Sequence, residues 1–435
     1  MAAKALDPIE ALLDGTYVDR ETGRATRVAT RSLVVADTLD GRETELIADL
    51  AFGKTLAVVS DPATHSVMGR RVEAALGGRF DVKSIVLPVD PYPDDDTVKR
   101  IRAATVSADA FIAVGSGTIN DLCKYSSALD GKPYAVFATA PSMNGYTSLT
   151  ASISQHGHKM TLPAQAPAGA FFDLTVLATA PRRMIRAGLG DSVCRATAQT
   201  DWLMSHLLLD TPYQQLPYDL LADEEPALLD LAGDLVAGSL DAMRVLVRTL
   251  ILSGLGTAIV GSSAPASQAE HLVSHYIDML APASRPNVFH GEQVGVTTLS
   301  VARLQEELLA SQPIVHPDSV TEQDVVAHFG RELGQSVWPE LKAKLLDKSG
   351  ADALNQRIAA QWNGISSRLA QTFLSPARIE AVLLAAGAPT MPNQIHLERG
   401  FYEAAVLHGR EIRNRYTVLD VMAANGRLPK LLPTL

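Results

Sequence analysis

The chain has 435 residues, 47% apolar and 20% charged, and its 38 Lys and Arg against 48 Asp and Glu give a formal net charge of −10. At roughly 150 residues per domain this allows two or three domains with sizeable cores. The acidic balance speaks against a nucleic-acid or anionic-membrane partner, which clustered Lys and Arg would hold, and two cysteines, Cys123 and Cys194, exclude a disulfide framework and a four-thiolate zinc site.

The opening MAAKALDPIEALLDG carries acids within its first ten residues and no long apolar core, so it does not read as a signal peptide, and a cytoplasmic protein is expected. Short β-rich runs follow at Leu33 to Ala36, Leu56 to Ser60, Ser84 to Val89, Ala110 to Val114, Tyr134 to Ala138 and Ala168 to Leu174. Several, such as AFIAV and IVLPV, are continuous apolar runs, as expected of strands buried on both faces of a parallel sheet. Helical patterns lie between them at Thr64 to Ala75, Asp96 to Thr105 and Ile119 to Leu129. Strand, helix, strand in repetition predicts a doubly wound α/β domain.

Beyond Leu177 the β-rich runs give way to Ala/Leu-rich helical segments, among them Pro181 to Leu209, Ala227 to Gly254, Pro265 to Leu280, Gly291 to Ala310 and Arg399 to Asn414. Prolines at 217, 282 and 392 mark breaks. The division expected is an α/β domain over 1–178 and an all-helical domain over 179–435. The last helices contain a basic turn, REIRNR, from Arg410 to Arg415.

Chemistry concentrates at three places. The strand AFIAV runs into Gly115, Ser116, Gly117 and Thr118, then Ile119-Asn120-Asp121. Glycines at a strand end that opens a helix let backbone N–H groups approach an anion, and a diphosphate is the natural guest. The plain alternative is a glycine turn, since neither G-x-G-x-x-G nor a P-loop is present. Asp61 ends the strand Val58-Val59-Ser60, where a carboxylate can bind a ribose hydroxyl and favour NAD. It can equally cap a helix ahead of Pro62. In the helical half, Asp191, His271 and His290 form a carboxylate and two-imidazole set suited to Zn²⁺, Fe²⁺ or Ni²⁺. The histidines are 19 apart (290 − 271), which no local zinc pattern requires, so packed histidines remain the alternative. His271 and His275 share a helical face at i and i+4. Cys194 reads as a buried thiol rather than a ligand.

The segments GSGTINDLCKY, KPYAVFATAPSMNGYTS, AGLGDSVCRATAQTDW, PASQAEHLVSH and HGEQVGV, in this order, resemble the sn-glycerol-1-phosphate dehydrogenase family. That family falls in the group of iron-type alcohol dehydrogenases, glycerol dehydrogenase and 3-dehydroquinate synthase. The resemblance runs from about Leu56 to RYTVLD. It implies a Rossmann-like dinucleotide-binding α/β domain, a helical C-terminal domain, NAD(H) or NADP(H), and one divalent metal, zinc first, with nickel or iron as alternatives. It further implies that Gly115, Ser116, Gly117, Thr118 and Asp121 serve the pyrophosphate, Asp61 the ribose, and Thr139, Ser142 and Lys159 the nicotinamide side. Asp191, His271 and His290 become the metal ligands and His275 the catalytic histidine beside the nicotinamide. Where many relatives carry a fourth ligand this chain has Arg195, which could meet a substrate phosphate or form a structural ion pair.

One departure stands out. The family's usual acid in S-x-D-G is Asn144 here, which keeps hydrogen bonds but loses the charge and the base. The activity implied is reduction of a small phosphorylated ketone, dihydroxyacetone phosphate to sn-glycerol 1-phosphate, by a homo-oligomer, with a homodimer expected. A dehydroquinate synthase-like cyclase and a non-catalytic nucleotide-binding homologue are the alternatives.

Overall fold

The computed structural model describes residues 7–155, 158–282 and 284–434. They form two compact units, one built from residues up to 192 together with 215–263, the other from 193–214 together with 264–435.

The first unit holds a short antiparallel ribbon, β1 (Tyr17–Val18) and β2 (Ala25–Thr26), and a six-stranded sheet. In chain order the next strands are β3 (Ser32–Ala36), β4 (Thr55–Ser60), β5 (Asp81–Val86), β6 (Ala110–Gly115), β7 (Tyr134–Ala138), β8 (Thr150–Gln155), β9 (His158–Pro163) and β10 (Gly169–Asp173). The sheet runs β3-β10-β7-β6-β4-β5, and every neighbouring pair is parallel. Its interior strands β6, β7 and β10 are buried throughout and β4 from Leu56 onward, with Val58, Ile112, Val114, Phe137 and Phe171 in one core cluster. The continuous apolar runs therefore mark strands covered on both faces, as their composition requires.

From β4 the chain moves to β5 on one side, then returns to place β6 on the other. The order reverses between β4 and β6, and in open α/β sheets ligands bind outside the strand ends at such a point. Asp61 leaves β4 there, and the Gly115 loop leaves β6.

The strand expected at Ser84 to Val89 begins three residues earlier, at Asp81, because its whole length is needed to pair with β4 from Thr55 to Ser60. The helix expected over Ala227 to Gly254 is interrupted. Gly238 takes φ 84 and the Ser239 side chain caps Ala242, so a new helix spans Leu240–Val260. That helix belongs with the α/β unit. It packs on the turn Asn144–Thr147, and a Cβ on Gly254 would lie 2.2 Å from Thr147 Oγ1 and 2.4 Å from the Asn144 carbonyl oxygen. The compact units thus interleave along the chain, whereas the composition changes once, near 178.

The second unit is helical, with a core that includes Leu272, Tyr276, Leu304, Ile358, Leu369, Tyr402 and Leu419. Buried charge accompanies this core. Arg410 bonds Asp318 at 2.8 Å and Asp420 at 2.9 Å, and Lys344 bonds the same Asp420 at 2.9 Å.

Candidate functional site

At the β6 end the loop is as tight as its glycines allow. A Cβ on Gly115 would sit 2.5 Å from that of Ile119, and one on Gly117 2.9 Å from Met143 Sδ. Helix α1 (Gly117–Leu129) follows, with Ser116 in the cap position but no side-chain bond to the first turn. The leading N–H groups, including those of Gly117 and Thr118, are therefore not closed off by their own cap, which suits an anion. Thr139 N donates to the Gly115 carbonyl at 3.1 Å and ties the next strand end to the loop, while Ser142 bonds the buried Tyr146 hydroxyl.

Asp61 does cap the helix that follows. Its Oδ1 accepts from Thr64 N at 2.9 Å, and Thr64 Oγ1 accepts from Asp61 N at 3.0 Å. Capping and ribose binding are compatible, since the Asp61 carboxylate has a second oxygen. Asp121 turns to protein partners: Oδ1 accepts from Asn120 Nδ2 at 3.0 Å and Oδ2 from Ser152 N at 3.0 Å. It therefore anchors the β8–β9 hairpin beside α1. Lys159 stands in β9, opposite Ser154, and its side chain lies outside the described residues.

Lys124 was not singled out by motif, yet it is wholly buried and central here. Its ammonium donates to Ser148 Oγ at 3.2 Å, to the Thr150 carbonyl at 3.0 Å and to the Gly145 carbonyl, with Asp121 Oδ1 at 3.7 Å. Burial pulls its pKa down, and Asp121 works against that fall. The Asp121/Lys124 spacing of i, i+3 on a helix opening at a glycine loop was the available signal.

Helix α2 (Arg182–Leu209) carries Asp191, Cys194 and Arg195. It approaches the 139–147 segment closely, for a Cβ on Gly188 would lie 1.8 Å from the Pro141 carbonyl oxygen. Asp191 Oδ2 accepts from Asn144 N at 2.8 Å, and Asn144 Nδ2 donates to Ser253 Oγ at 3.2 Å. The backbone at 144 thus serves Asp191, while the neutral side-chain amide serves Ser253. Arg195 Nη1 donates to Gln199 Oε1 at 3.3 Å on the same helix.

In the second unit, α3 (Ala269–Leu280) and α4 (His290–Leu309) bring three histidines together. The His271 ring centroid lies 5.2 Å from that of His290 and 5.9 Å from that of His275, and His275 stacks on His290 at 6.1 Å. His271 Nδ1 bonds Glu270 Oε1 at 2.9 Å. Glu270 is itself fixed, with Oε1 accepting from Gln268 N at 2.7 Å and Oε2 from Thr197 Oγ1 at 3.1 Å. A carboxylate on one ring nitrogen sets the tautomer and turns the other nitrogen into a metal ligand, the usual arrangement behind a metal-bound imidazole. The residues present therefore fit a divalent ion held by imidazole and oxygen. Cys194 Sγ, Glu270 and His271 also have ligand atoms within 4.8 Å of one another. The thiol nevertheless contacts the Ala266 carbonyl at 3.7 Å, as a packed thiol does.

The family model of iron-containing alcohol dehydrogenases matches residues 34–181. Among curated relatives, the glycerol-1-phosphate dehydrogenase (NAD(P)+) of Geobacillus thermodenitrificans is 32% identical over 375 residues, 84% of this chain and 86% of its own. That of Bacillus subtilis is 33% identical over 380 residues, 86% of each chain. Solved structures similar in fold include glycerol dehydrogenase from Schizosaccharomyces pombe, with TM-score 0.60 and 14% identity over 94% of this chain and 91% of the other. A sulfoacetaldehyde reductase from Bifidobacterium kashiwanohense in complex with NAD+ gives TM-score 0.61 and 13% identity, covering 93% of this chain and 96% of the other.

Proposed function

The chain belongs to the glycerol-1-phosphate dehydrogenase family of iron-containing alcohol dehydrogenases, and we propose that it interconverts dihydroxyacetone phosphate and sn-glycerol 1-phosphate with NAD(H) or NADP(H) and one divalent metal. The observation that carries the metal assignment is the three-histidine cluster with Glu270 bonded behind His271.

His271 and His290 would hold the ion, with Asp191 as the third ligand. Zinc suits this donor set first, nickel or iron next. When bound, the ion supplies a Lewis acid for the substrate oxygen and the nicotinamide supplies or accepts the hydride.

The chain's own residues do the rest. The Gly115–Thr118 backbone and the start of α1 bind the pyrophosphate, Asp61 the ribose, and Thr139 and Ser142 line the nicotinamide side, with Asp121 and Lys124 holding the hairpin in place. Asn144 orients a substrate hydroxyl but holds no exchangeable base, so His275 moves the proton between solvent and the reacting oxygen. Arg195 offers a cation to the substrate phosphate.

A panel of phosphorylated and unphosphorylated carbonyl compounds, followed by NADH and NADPH absorbance, tests this reading. Net consumption of reduced nicotinamide with dihydroxyacetone phosphate is expected. Turnover without net nicotinamide change would mean a cyclase, and tight NADH binding with no turnover a non-catalytic homologue.

A further inference from the structure

Two imidazoles on separate helices can share an ion only if the helices are held at one spacing, and one buried side chain bridges α3 and α4 beside the histidines. His271 and Ser274 are neighbours on α3 at i and i+3, and His290 and Gln293 stand in the same relation on α4. Gln293 and Ser274 are both buried. Gln293 Nε2 donates to the Ser274 carbonyl and to Ser274 Oγ, each at 2.8 Å, and to Asp278 Oδ1, on the same helix, at 3.0 Å. This hydrogen-bonded rung stands one helical turn beyond the rung made by the two imidazoles, whose centroids are 5.2 Å apart.

The oxygen of the same amide is also engaged. Gln293 Oε1 accepts from Arg285 Nη1 at 2.8 Å. Arg285 belongs to the segment between the two helices and is itself anchored, with Nε at 3.0 Å and Nη2 at 2.8 Å from the Ile395 carbonyl, at the end of the turn Pro392–Ile395. Burial draws the Arg285 pKa down, and the Asp278 charge works against that fall. The partners fix which way the amide faces: carbonyl, hydroxyl and carboxylate oxygens take its N–H groups, and a guanidinium takes its oxygen. A carboxamide meets both demands, whereas a carboxylate, an acceptor only, meets the second and opposes the first.

All of these partners lie outside α4, so a slip of one helix past the other leaves buried polar groups unpaired. His271 is thus fixed in two respects. Glu270 holds its ring orientation, and the bond between Gln293 and Ser274 holds its helix against that of His290.

We propose that Gln293 is a positioning residue whose amide sets the spacing of His271 and His290 and thereby the affinity of the site for its divalent ion. This deepens the reading of these histidines as metal ligands and rests on it.

The test measures zinc affinity of the full chain by competition with a chromophoric chelator, in the wild type, Gln293→Glu, Gln293→Met and the double variant Gln293→Glu/Asp278→Asn, with circular dichroism and Tm as checks of folding. Gln293→Glu keeps the Arg285 contact but loses every donation to α3, and should bind zinc about tenfold more weakly, the lower end for groups that support a metal's ligands. Gln293→Met fills the same space without a buried charge, should show a similar loss, and supplies the readout if the carboxylate prevents folding. The double variant should recover part of the affinity, because an amide in place of Asp278 can donate to the new carboxylate. Unchanged affinity in either folded single variant, even with a lower Tm, overturns the proposal, because the bridge then serves stability alone. A double variant no tighter than Gln293→Glu overturns it as well. A wild type that takes up no zinc overturns the metal reading and the proposal with it, a distinct outcome because wild type and variants then agree.

Discussion

His271 owes its orientation to the residue before it. Adjacent residues on a helix do not ordinarily face each other. Here Glu270 stands at the first turn of α3 and turns back, taking the Gln268 N–H on the oxygen that also bonds His271. That reversal is why the pair was not legible in QAEHLVSH, whereas His271 and His290 were, through their motifs. Asp61 reads in sequence as a ribose ligand or a helix cap, and the capping role is the one the geometry displays. Asn144 shows how a departure from a motif can be read physically: its backbone N–H bonds Asp191 and its side-chain amide bonds Ser253, so the position keeps its hydrogen bonds without the charge. Removing the charge behind His271 by Glu270→Gln should weaken zinc binding by about tenfold, and Glu270→Ala by up to about a hundredfold. Competition against a chromophoric chelator measures both, and unchanged affinity would mean that Glu270 serves packing alone.

Elements were legible where composition and burial agree, and less so where tertiary contact overrides periodicity. The strands of the sheet match their apolar runs closely, except β5, which lies three residues earlier than its run. By contrast, the helical pattern Arg399 to Asn414 stops at His408 and continues as a short 3-10 turn, Gly409–Ile412, where Gly409 meets the backbone of α3. The β8–β9 hairpin was missed because its alternation is brief and weak, Ala151 and Ile153 being the buried apolar members of β8 and Ser154 buried beside them. Close packing of helices on the 139–147 segment yields a direct test. Gly188→Ala would place a methyl on the Pro141 carbonyl and should cost about 1–3 kcal/mol, the usual range for overpacking, seen as a lower Tm. The Asp420 cluster gives another. Burial pushes the Asp420 pKa up, but Lys344 and Arg410 more than offset it, so the net direction is down. A carboxylate with a depressed folded pKa contributes its full stability above the unfolded value, near 3.9, and loses it as pH falls through the folded value. Denaturant unfolding should therefore show this contribution intact at neutral pH and fading below about pH 4. Asp420→Ala leaves two buried cations without their shared acid and should cost about 3–5 kcal/mol at pH 7.

At the scale of the whole molecule, the acidic composition and the anionic ligands are reconciled by placement. Net charge acts on long-range association, whereas a loop of backbone N–H groups and a few buried cations act locally. The sheet order carries the same logic, because its reversal between β4 and β6 brings Asp61 and the Gly115 loop to neighbouring strand ends. The succession of strands and motifs made the strand ends legible, but not which strands lie side by side. Nor was the interleaving of the compact units legible, since helix Leu240–Val260 joins the α/β unit through contacts that composition does not record. The most direct measurement is the rate of NADH or NADPH oxidation with dihydroxyacetone phosphate by purified protein of known metal content, before chelation, after it and after zinc is restored. Turnover that disappears with the metal, returns with zinc and stays absent in His271→Ala is the expected result. Full activity in the metal-free protein would contradict it.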